Sequence, residues 1–313
     1  MPDARTRVAA IDCGTNSIRL LISDVEGEGK TDLLREMRIV RLGQDVDRTH
    51  HLAESAIERT LAVCHEYAAM TEMFEVSTVR FCGTSAIRDA DNAEDFSDAV
   101  ERILGVRPEV LAGREEAEAS FAGATRDLGA GRTLVVDIGG GSTEIVVGTH
   151  TESGVSVESG ASLDIGSVRM TERFLAGDPP SVAEVTACMS HLDSVLAPVL
   201  RDIAPVETFV GVAGTVTTVA AHALALPSYD AEALHLAKLS LDEVRGACLS
   251  LAQMSLGDRR NLPYLHPGRA DVIGGGALIL DRLIELVPLA TDQMIVSEHD
   301  ILDGIVWGAA PHD

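Results

Sequence analysis

Short apolar segments alternate along this sequence with segments in which apolar residues recur every three to four positions. Residues 7–12 and 18–24 are short, mainly apolar segments and predict a pair of strands. Over residues 53–70 the apolar spacing is helical, and Asn92 is predicted to cap the helix that follows it. Because strands and helices keep alternating up to a last predicted helix at 301–307, the pattern favours an α/β fold.

One strand–turn–strand pattern occurs twice, at residues 8–22 and again at residues 134–148. Each copy is an apolar strand that ends in Asp, a turn of Gly, Ser, Thr or Asn, and a second apolar strand. The aligned pairs are Asp12 with Asp137, Gly14 with Gly139, and Ser17 with Ser142. Two such hairpins that face each other can bind phosphate oxygens through backbone N–H groups and a cation through carboxylates. The repeat therefore predicts chemistry on a phosphate chain.

Composition narrows the class of protein. The 313 residues suggest about two domains, and 46% of them are hydrophobic but only 3% aromatic, so the cores must consist of aliphatic side chains. The net charge of −24, with Lys30 and Lys238 as the only lysines, argues against nucleic-acid binding. We find no bilayer-spanning apolar run and no signal segment, so we expect a cytoplasmic protein that makes no membrane contact.

Cysteine and histidine spacing predicts neither a disulfide framework nor a metal centre. The five cysteines show no Cys-x-x-Cys pair, and their odd number fits buried thiols in a reducing compartment. The ten histidines are scattered, and none follows the His-x-x-x-His spacing of a helical metal site.

The second copy of the hairpin indicates a ligand-binding site more specifically than the first. Gly139–Gly141 leave the backbone bare directly after a buried strand, so that a ligand can approach closely. Asp137 at the strand end and Glu144 beyond the turn can share one hard cation through their oxygens. The alternative is a glycine-rich hairpin with two solvated acids, and the match to the first hairpin favours the cation site.

Two further turns end apolar strands. Residues Gly211–Thr218 form a strand–turn–helix whose helix N-terminus is a ready anion site, although an ordinary capped helix has the same pattern. In Gly83–Arg88, Thr84 and Ser85 can cap the next helix, and Arg88 lies about one helical turn later. Arg88 can reach the phosphate that the hairpin turns are predicted to bind. The alternative is that Arg88 is an exposed arginine without a role in binding.

Two adjacent carboxylates, Glu115 and Glu116, occur at the start of a predicted helix. They can stabilise the helix dipole in its first turn. Alternatively, one of them faces the ligand and takes a proton from water. The residues alone do not choose between these roles.

Taken together and in this order, the motifs resemble the exopolyphosphatase/guanosine pentaphosphate phosphatase (Ppx/GppA) family in its short two-domain form. The resemblance covers almost the whole chain, and the combination is more specific than any one motif. The segments that carry it are Ile11–Ser17, Gly83–Arg88, Gly113–Ala117, Asp137–Glu144 and Gly211–Thr218.

The resemblance implies an α/β architecture of two actin-like (ribonuclease H-like) domains of related topology on either side of a cleft. The first domain is expected at residues 1–118 and the second at 119–298. A C-terminal helix at 299–313 is expected to return to the first domain. The segment Glu298–Gly304 departs from the family, because Leu302-Asp303-Gly304 replaces its usual Arg-Glu-Gly ending.

The same resemblance implies a phosphoric anhydride hydrolase, an exopolyphosphatase that uses water to remove the terminal phosphate of linear, short-chain inorganic polyphosphate. It implies that Glu116 is the general base and that Asp137 and Glu144 hold Mg²⁺, or Mn²⁺, with Asp12 as a further candidate ligand. The residues expected to contact the phosphates are Gly14, Thr15, Asn16, Ser17, Thr84, Arg88, Gly139, Gly140, Gly141, Ser142, Gly214 and Thr215.

Several alternatives stay open at this point. The substrate can instead be the 5′-phosphate of guanosine pentaphosphate (pppGpp), which would place the enzyme in stringent-response signalling. Two further alternatives are a non-catalytic sensor of polyphosphate or guanosine tetraphosphate (ppGpp) and a kinase of the same superfold. Regulation by ppGpp is an additional expectation, and a homodimer is expected because C2 dimers are the commonest assembly.

Overall fold

The computed structural model describes residues 5–129, 131–151 and 154–309. Contacts divide the chain into two units, of which the first contains residues 5–123 and 301–309 and the second is Ala124–Asp300. The boundary expected after residue 118 falls inside a continuous helix, so no break in the local pattern marks the division. Residues 310–313 of the expected C-terminal helix lie outside the described residues.

The first unit is built on a five-stranded sheet in the order β3-β2-β1-β4-β5. Its strands are β1 (Thr6–Cys13), β2 (Ser17–Glu26), β3 (Gly29–Ile39), β4 (Thr78–Gly83) and β5 (Glu109–Val110). The helices up to the unit boundary are α1 (Val46–Thr49), α2 (Glu54–Met73), α3 (Ser85–Arg88), α4 (Ala93–Leu104) and α5 (Gly113–Thr125). Strands β1, β2 and β3 pair antiparallel, whereas β4 and β5 continue parallel to β1.

The second unit has a six-stranded sheet in the order β10-β11-β9-β6-β7-β8. Its strands are β6 (Gly131–Ile138), β7 (Thr143–Thr151), β8 (Gly154–Leu163), β9 (Thr208–Val212), β10 (Lys238–Ser240) and β11 (Gln293–Val296). Its helices are α6 (Ser167–Phe174), α7 (Val182–Leu200), α8 (Ala213–Ala223), α9 (Ala231–Leu234), α10 (Leu241–Gln253), α11 (Leu256–Arg260) and α12 (Ile273–Leu286), with a 3₁₀ turn at Pro267–Arg269.

The two sheets share one topology. Strands β6, β7, β8, β9 and β11 follow the same order and the same directions as β1 to β5, and β10 is added at the edge. The register also repeats, because Asp12 pairs with Arg19 across the first hairpin and Asp137 pairs with Glu144 across the second. The expected α/β class with two domains of related topology is therefore confirmed.

Helix α13 (Ile301–Ala309) returns to the first unit after the whole second unit. Leu302, in the segment that departs from the family pattern, packs in an apolar cluster with Val8 and Leu21 of the sheet. The buried Asp303 carboxylate accepts hydrogen bonds from Lys30 and Arg35 of β3, each at 2.6 Å. In this chain the divergent segment is therefore a structural anchor for the last helix.

Two helix caps predicted from the sequence are wrong, since neither Thr84 before α3 nor Asn92 before α4 makes a side-chain capping bond. Asn92 precedes α4, but its side chain makes no capping bond. Its amide instead bonds both backbone groups of Leu52, accepting from the N–H at 2.8 Å and donating to the C=O at 3.0 Å. Separately, no helix within the described ranges is long and apolar enough to cross a membrane.

Candidate active site

Both hairpin turns close in the same way. The Gly14 N–H donates to the Ser17 carbonyl at 2.9 Å, and the Gly139 N–H donates to the Ser142 carbonyl at 3.0 Å. A Cβ at Gly139 would lie 3.2 Å from that carbonyl oxygen, a tight contact that a side chain there would have to relieve. The sequence repeat is therefore also a repeat of turn geometry.

The N-terminus of α6 determines where the second turn presents its amides. Three donors of this helix bind the three carbonyls of Gly139–Gly141. They are Ser167 N–H to Gly139 at 2.9 Å, Val168 N–H to Gly140 at 2.9 Å, and Arg169 Nε–H to Gly141 at 2.8 Å. Because each peptide group is planar and trans, the N–H groups of Gly140, Gly141 and Ser142 point away from α6. They form a row of donors suited to phosphate oxygens.

Asp137 and Glu144 are directly opposite each other in the β6–β7 register, so their side chains lie on one face of the sheet. Both are buried, with 7% and 2% of their surfaces exposed. From β8, the Ser162 hydroxyl donates to Glu144 Oε1 at 2.6 Å and orients that carboxylate. This all-oxygen donor set fits Mg²⁺ or Mn²⁺.

In the first hairpin, the position equivalent to Glu144 is occupied by Arg19, a guanidinium in place of a carboxylate. Arg19 lies opposite Asp12 and donates to Asp12 Oδ2 through both Nε and Nη2, at 2.9 and 2.7 Å. A permanent cation therefore already neutralises the Asp12 carboxylate. The surroundings of Asp12 fit a cation ligand less well than those of Asp137 and Glu144.

The structure separates the two glutamates that begin α5. Glu115 is exposed, and its carboxylate accepts the Ala112 N–H at 2.8 Å, which caps the helix. Glu116 is only 6% exposed, and Arg88 donates to its Oε2 at 3.2 Å and to the Leu111 carbonyl at 3.0 Å. Arg88 therefore holds the Glu116 carboxylate in one orientation, as a positioned base requires.

The first turn is tied to the segment that carries Arg88. Thr15 Oγ1 and Ser85 Oγ are 3.0 Å apart, and the Thr84 N–H donates to the Cys13 carbonyl at 3.3 Å. Thr84 lies at the N-cap of α3 but makes no side-chain capping bond. The Asn16 carbonyl accepts the N–H groups of residues 40 and 41. These bonds fix the predicted phosphate-binding residues of the first unit relative to one another.

A cation that the sequence reasoning missed lies at the third motif. Gly214 is the second residue of α8, and a Cβ there would lie 2.2 Å from the guanidinium of Arg269. Ala213 just before it has a φ of +67°, a strained conformation of the kind that collects at functional turns. Thr215 follows and is buried. A helix N-terminus beside a guanidinium is an anion site, and only the tertiary fold brings Arg269 there.

The predicted site residues fall into two groups, one in each unit. The first unit holds Asp12, Gly14, Thr15, Asn16, Ser17, Thr84, Arg88 and Glu116, and the second holds Asp137, Gly139, Gly140, Gly141, Ser142, Glu144, Gly214 and Thr215. Each group contains a glycine turn and buried carboxylates. The first group also contains Arg88, and in the second unit Arg269 lies beside Gly214. Glycine-turn amides and guanidinium groups suit oxyanions, and buried carboxylates suit a hard cation.

Comparisons with known proteins identify one family over almost the whole chain. The family described as Ppx/GppA phosphatase matches residues 21–312. The chain is 47% identical to exopolyphosphatase 2 of Mycobacterium tuberculosis, over 98% of this chain and 99% of that protein. It is 29% identical to the guanosine-5′-triphosphate,3′-diphosphate pyrophosphatase of Aeromonas salmonicida, over 96% of this chain and 58% of that protein.

Solved structures show the same similarity. The crystal structure of an exopolyphosphatase-like protein superposes with a TM-score of 0.92 at 42% identity, over 97% of each chain. The Ppx-GppA enzyme of Aquifex aeolicus superposes with a TM-score of 0.81 at 34% identity, over 97% of this chain and 100% of that one.

Proposed function

Because this chain belongs to the Ppx/GppA phosphatase family, we propose that it is an exopolyphosphatase that removes the terminal phosphate of linear, short-chain inorganic polyphosphate. The observation that carries this proposal is the similarity, over nearly the full length of both chains, to a protein named exopolyphosphatase. The buried Glu116 held by Arg88 supplies the base that such a hydrolase needs.

In the reaction, the oxygen of a water molecule attacks the terminal phosphorus while Glu116 takes the water proton. The bond from that phosphorus to the bridging oxygen breaks, releasing orthophosphate and a chain one unit shorter. Phosphoryl transfer needs positioned donors and cations more than covalent chemistry. The N–H groups of Gly140, Gly141 and Ser142 and the guanidiniums of Arg88 and Arg269 provide them.

Asp137 and Glu144 would hold the divalent cation, with Mg²⁺ as the expected ion and Mn²⁺ fitting the same oxygen donors. When bound, the cation neutralises negative charge on the phosphate oxygens. Ser162 keeps the Glu144 carboxylate oriented for that purpose. We assign no cation to Asp12, because Arg19 already pairs with it.

Charge supports short chains over long ones. The protein carries a net charge of −24 and two lysines, so a long polyphosphate would be repelled outside the local site. The second candidate substrate is pppGpp, favoured by the relatives of the guanosine pentaphosphate class at 29% identity. Both substrates end in a linear phosphate chain, and the residues described above suit phosphate groups in either of them.

A substrate panel tests this function. Phosphate release is measured from short polyphosphate, long polyphosphate, pppGpp and ATP, each with Mg²⁺, for the wild type and for Glu116→Gln. We expect the fastest release from short polyphosphate, and its loss in the variant. Preferential release from pppGpp would move the function to stringent-response signalling. Binding without release from any substrate would indicate a sensor, and transfer to an acceptor other than water would indicate a kinase.

Three finer properties belong to the same proposal. The enzyme acts in the cytoplasm as a homodimer, and ppGpp competes with substrate for the phosphate-binding residues. Light scattering after size-exclusion chromatography tests the dimer. If ppGpp competes with substrate, excess polyphosphate should relieve inhibition by ppGpp. Inhibition by ppGpp that excess polyphosphate does not relieve would contradict the competition.

A further inference from the structure

A cluster of two imidazoles and one carboxylate lies in the second unit and has no part in the proposed reaction. Asp127, His235 and His299 each place one potential ligand atom within 4.8 Å of the others. His299 Nδ1 is 2.6 Å and His235 Nε2 is 3.6 Å from the same oxygen, Asp127 Oδ2. The two imidazole rings lie 4.4 Å apart between centroids.

The chemistry of these donors differs from that of the catalytic cation site. Two imidazole nitrogens and one carboxylate oxygen suit Zn²⁺ and neighbouring transition metals, whereas Mg²⁺ prefers oxygen alone. Metal–ligand distances of about 2.0–2.2 Å require only small movements of side chains already this close. The three side chains are between 25% and 44% exposed, so water can complete the coordination.

Coordination rearranges the protons of this cluster. His235 Nδ1 accepts the backbone N–H of Glu298 at 3.3 Å, so its own proton is on Nε2, which faces Asp127. An ion on Nε2 moves that proton to Nδ1 and turns the Glu298 amide away. An ion on His299 Nδ1 likewise moves the His299 proton to Nε2. The Glu298 bond is long and therefore weak, so a metal can displace it.

The position of the cluster gives such an ion a specific consequence. The chain passes between the two units twice, after Gly123 and after Asp300. Asp127 follows the end of α5 by two residues, and His299 precedes α13 by two. An ion on both residues would join the two connecting segments to each other.

We propose that Asp127, His235 and His299 form a Zn²⁺-class metal site within the second unit that joins the segment after α5 to the segment before α13 and is distinct from the Asp137–Glu144 site. Every two of these ligands are at least 64 positions apart in the sequence, so no sequence motif identifies them. Only the fold brings them together.

A metal-binding experiment tests the proposal independently of any enzymatic activity. The full-length protein is stripped with a chelator and returned to excess Mg²⁺, which occupies the oxygen site. Zn²⁺ is then titrated by calorimetry and Co²⁺ by visible absorption, in the wild type, Asp127→Asn, His299→Gln and the control His65→Gln. His65 is an exposed histidine on α2 of the first unit.

We expect one Zn²⁺ per chain, with affinity at least tenfold weaker in Asp127→Asn and in His299→Gln and unchanged in His65→Gln. Zn²⁺ should also raise the melting temperature of the wild type more than that of either cluster variant. No stoichiometric binding by the wild type, or equal binding by all four proteins, would overturn the proposal. Circular dichroism verifies the fold of each variant. If one cluster variant is unfolded, the other still tests the proposal.

Discussion

At the scale of single residues, the neighbours Glu115 and Glu116 have opposite surroundings. Glu115 is exposed and caps α5, whereas Glu116 is buried beside Arg88. We expect Glu116→Gln to lower kcat by about 10²–10⁴-fold with little change in KM, because it removes the proton acceptor but no phosphate contact. Steady-state phosphate release measures this change.

The adjacent variant is the control for that prediction. Glu115→Gln weakens the helix cap and should lower the stability by about 1 kcal/mol or less while kcat stays near the wild-type value. Thermal unfolding and phosphate release are measured on both variants. Equal losses of kcat in the two variants would contradict the assignment of Glu116 as the base.

The asymmetry between the two hairpins predicts which acids set the cation requirement. Glu144→Gln should raise the Mg²⁺ concentration for half-maximal activity by more than tenfold. Ser162→Ala should raise it by up to about tenfold, because it releases the hydroxyl that orients Glu144. Asp12→Asn should leave it unchanged, because Arg19 already pairs with Asp12. A Mg²⁺ titration of activity checks all three, and a large increase in Asp12→Asn would make Asp12 a ligand.

At the scale of elements, the contact of α6 with the second glycine turn orients the phosphate-binding amides. A Cβ at Gly166 would lie 2.4 Å from the Gly140 carbonyl oxygen, a backbone atom that cannot rotate away. Gly166→Ala should therefore push α6 from the turn, lower the stability by about 1–3 kcal/mol and raise KM for polyphosphate.

Gly246 provides the matched control, since it lies exposed within α10 and a Cβ there would meet nothing within 4 Å. Gly246→Ala should stabilise the protein by up to about 1 kcal/mol, through helix propensity, without a change in KM. Urea unfolding and phosphate release compare the two variants. An unchanged KM in Gly166→Ala would show that α6 does not orient the turn.

At the scale of the whole molecule, the first unit depends on a helix that returns after 177 residues of the second unit, Ala124–Asp300. Asp303 anchors this helix through Lys30 and Arg35 and is almost fully buried. Asp303→Asn removes the buried carboxylate from Lys30 and Arg35, which still keep Asp32 as an anionic partner, and should lower the stability by about 2–3 kcal/mol. The fluorescence of Trp307, the single tryptophan of the chain and part of α13, follows this unfolding in urea.

An exposed ion pair serves as the comparison for Asp303. Asp98 pairs with Arg107 on the surface, and Asp98→Asn should change the stability by less than about 1 kcal/mol. Similar unfolding midpoints for the two variants would mean that the buried anchor contributes no more than a surface pair.

Acid stability is a second property of the whole molecule. Hydrogen bonds from Arg7, and from Arg5, lower the pKa of Asp24 from its ordinary 3.8 to about 2. A carboxyl whose pKa is lower in the folded state stabilises fully above its unfolded pKa, and that stabilisation disappears as the pH falls towards about 2. The difference in unfolding free energy between wild type and Asp24→Asn should therefore be constant from pH 7 to about 5 and shrink between pH 4 and 2. A difference that grows with acid would reverse this assignment.

The sequence by itself determined the strands, most helices, the repeated hairpin and the motifs at its turns. These features are local, since apolar period, glycine position and an acid at a strand end are all visible within about fifteen residues. The register that places Asp137 opposite Glu144 also follows from the hairpin, because a short turn sets the pairing of its two strands.

Only the tertiary structure decided which of Glu115 and Glu116 is buried, and that Asp12 is neutralised by Arg19. It likewise brought Arg269 to Gly214, tied Asn92 to Leu52 and assembled Asp127, His235 and His299. Each of these depends on which partner a polar side chain meets, and except for Arg19 and the Glu115 cap that partner is distant in sequence. Local pattern carries no information about such partners, because the free energy of a polar group depends on its surroundings in the folded chain.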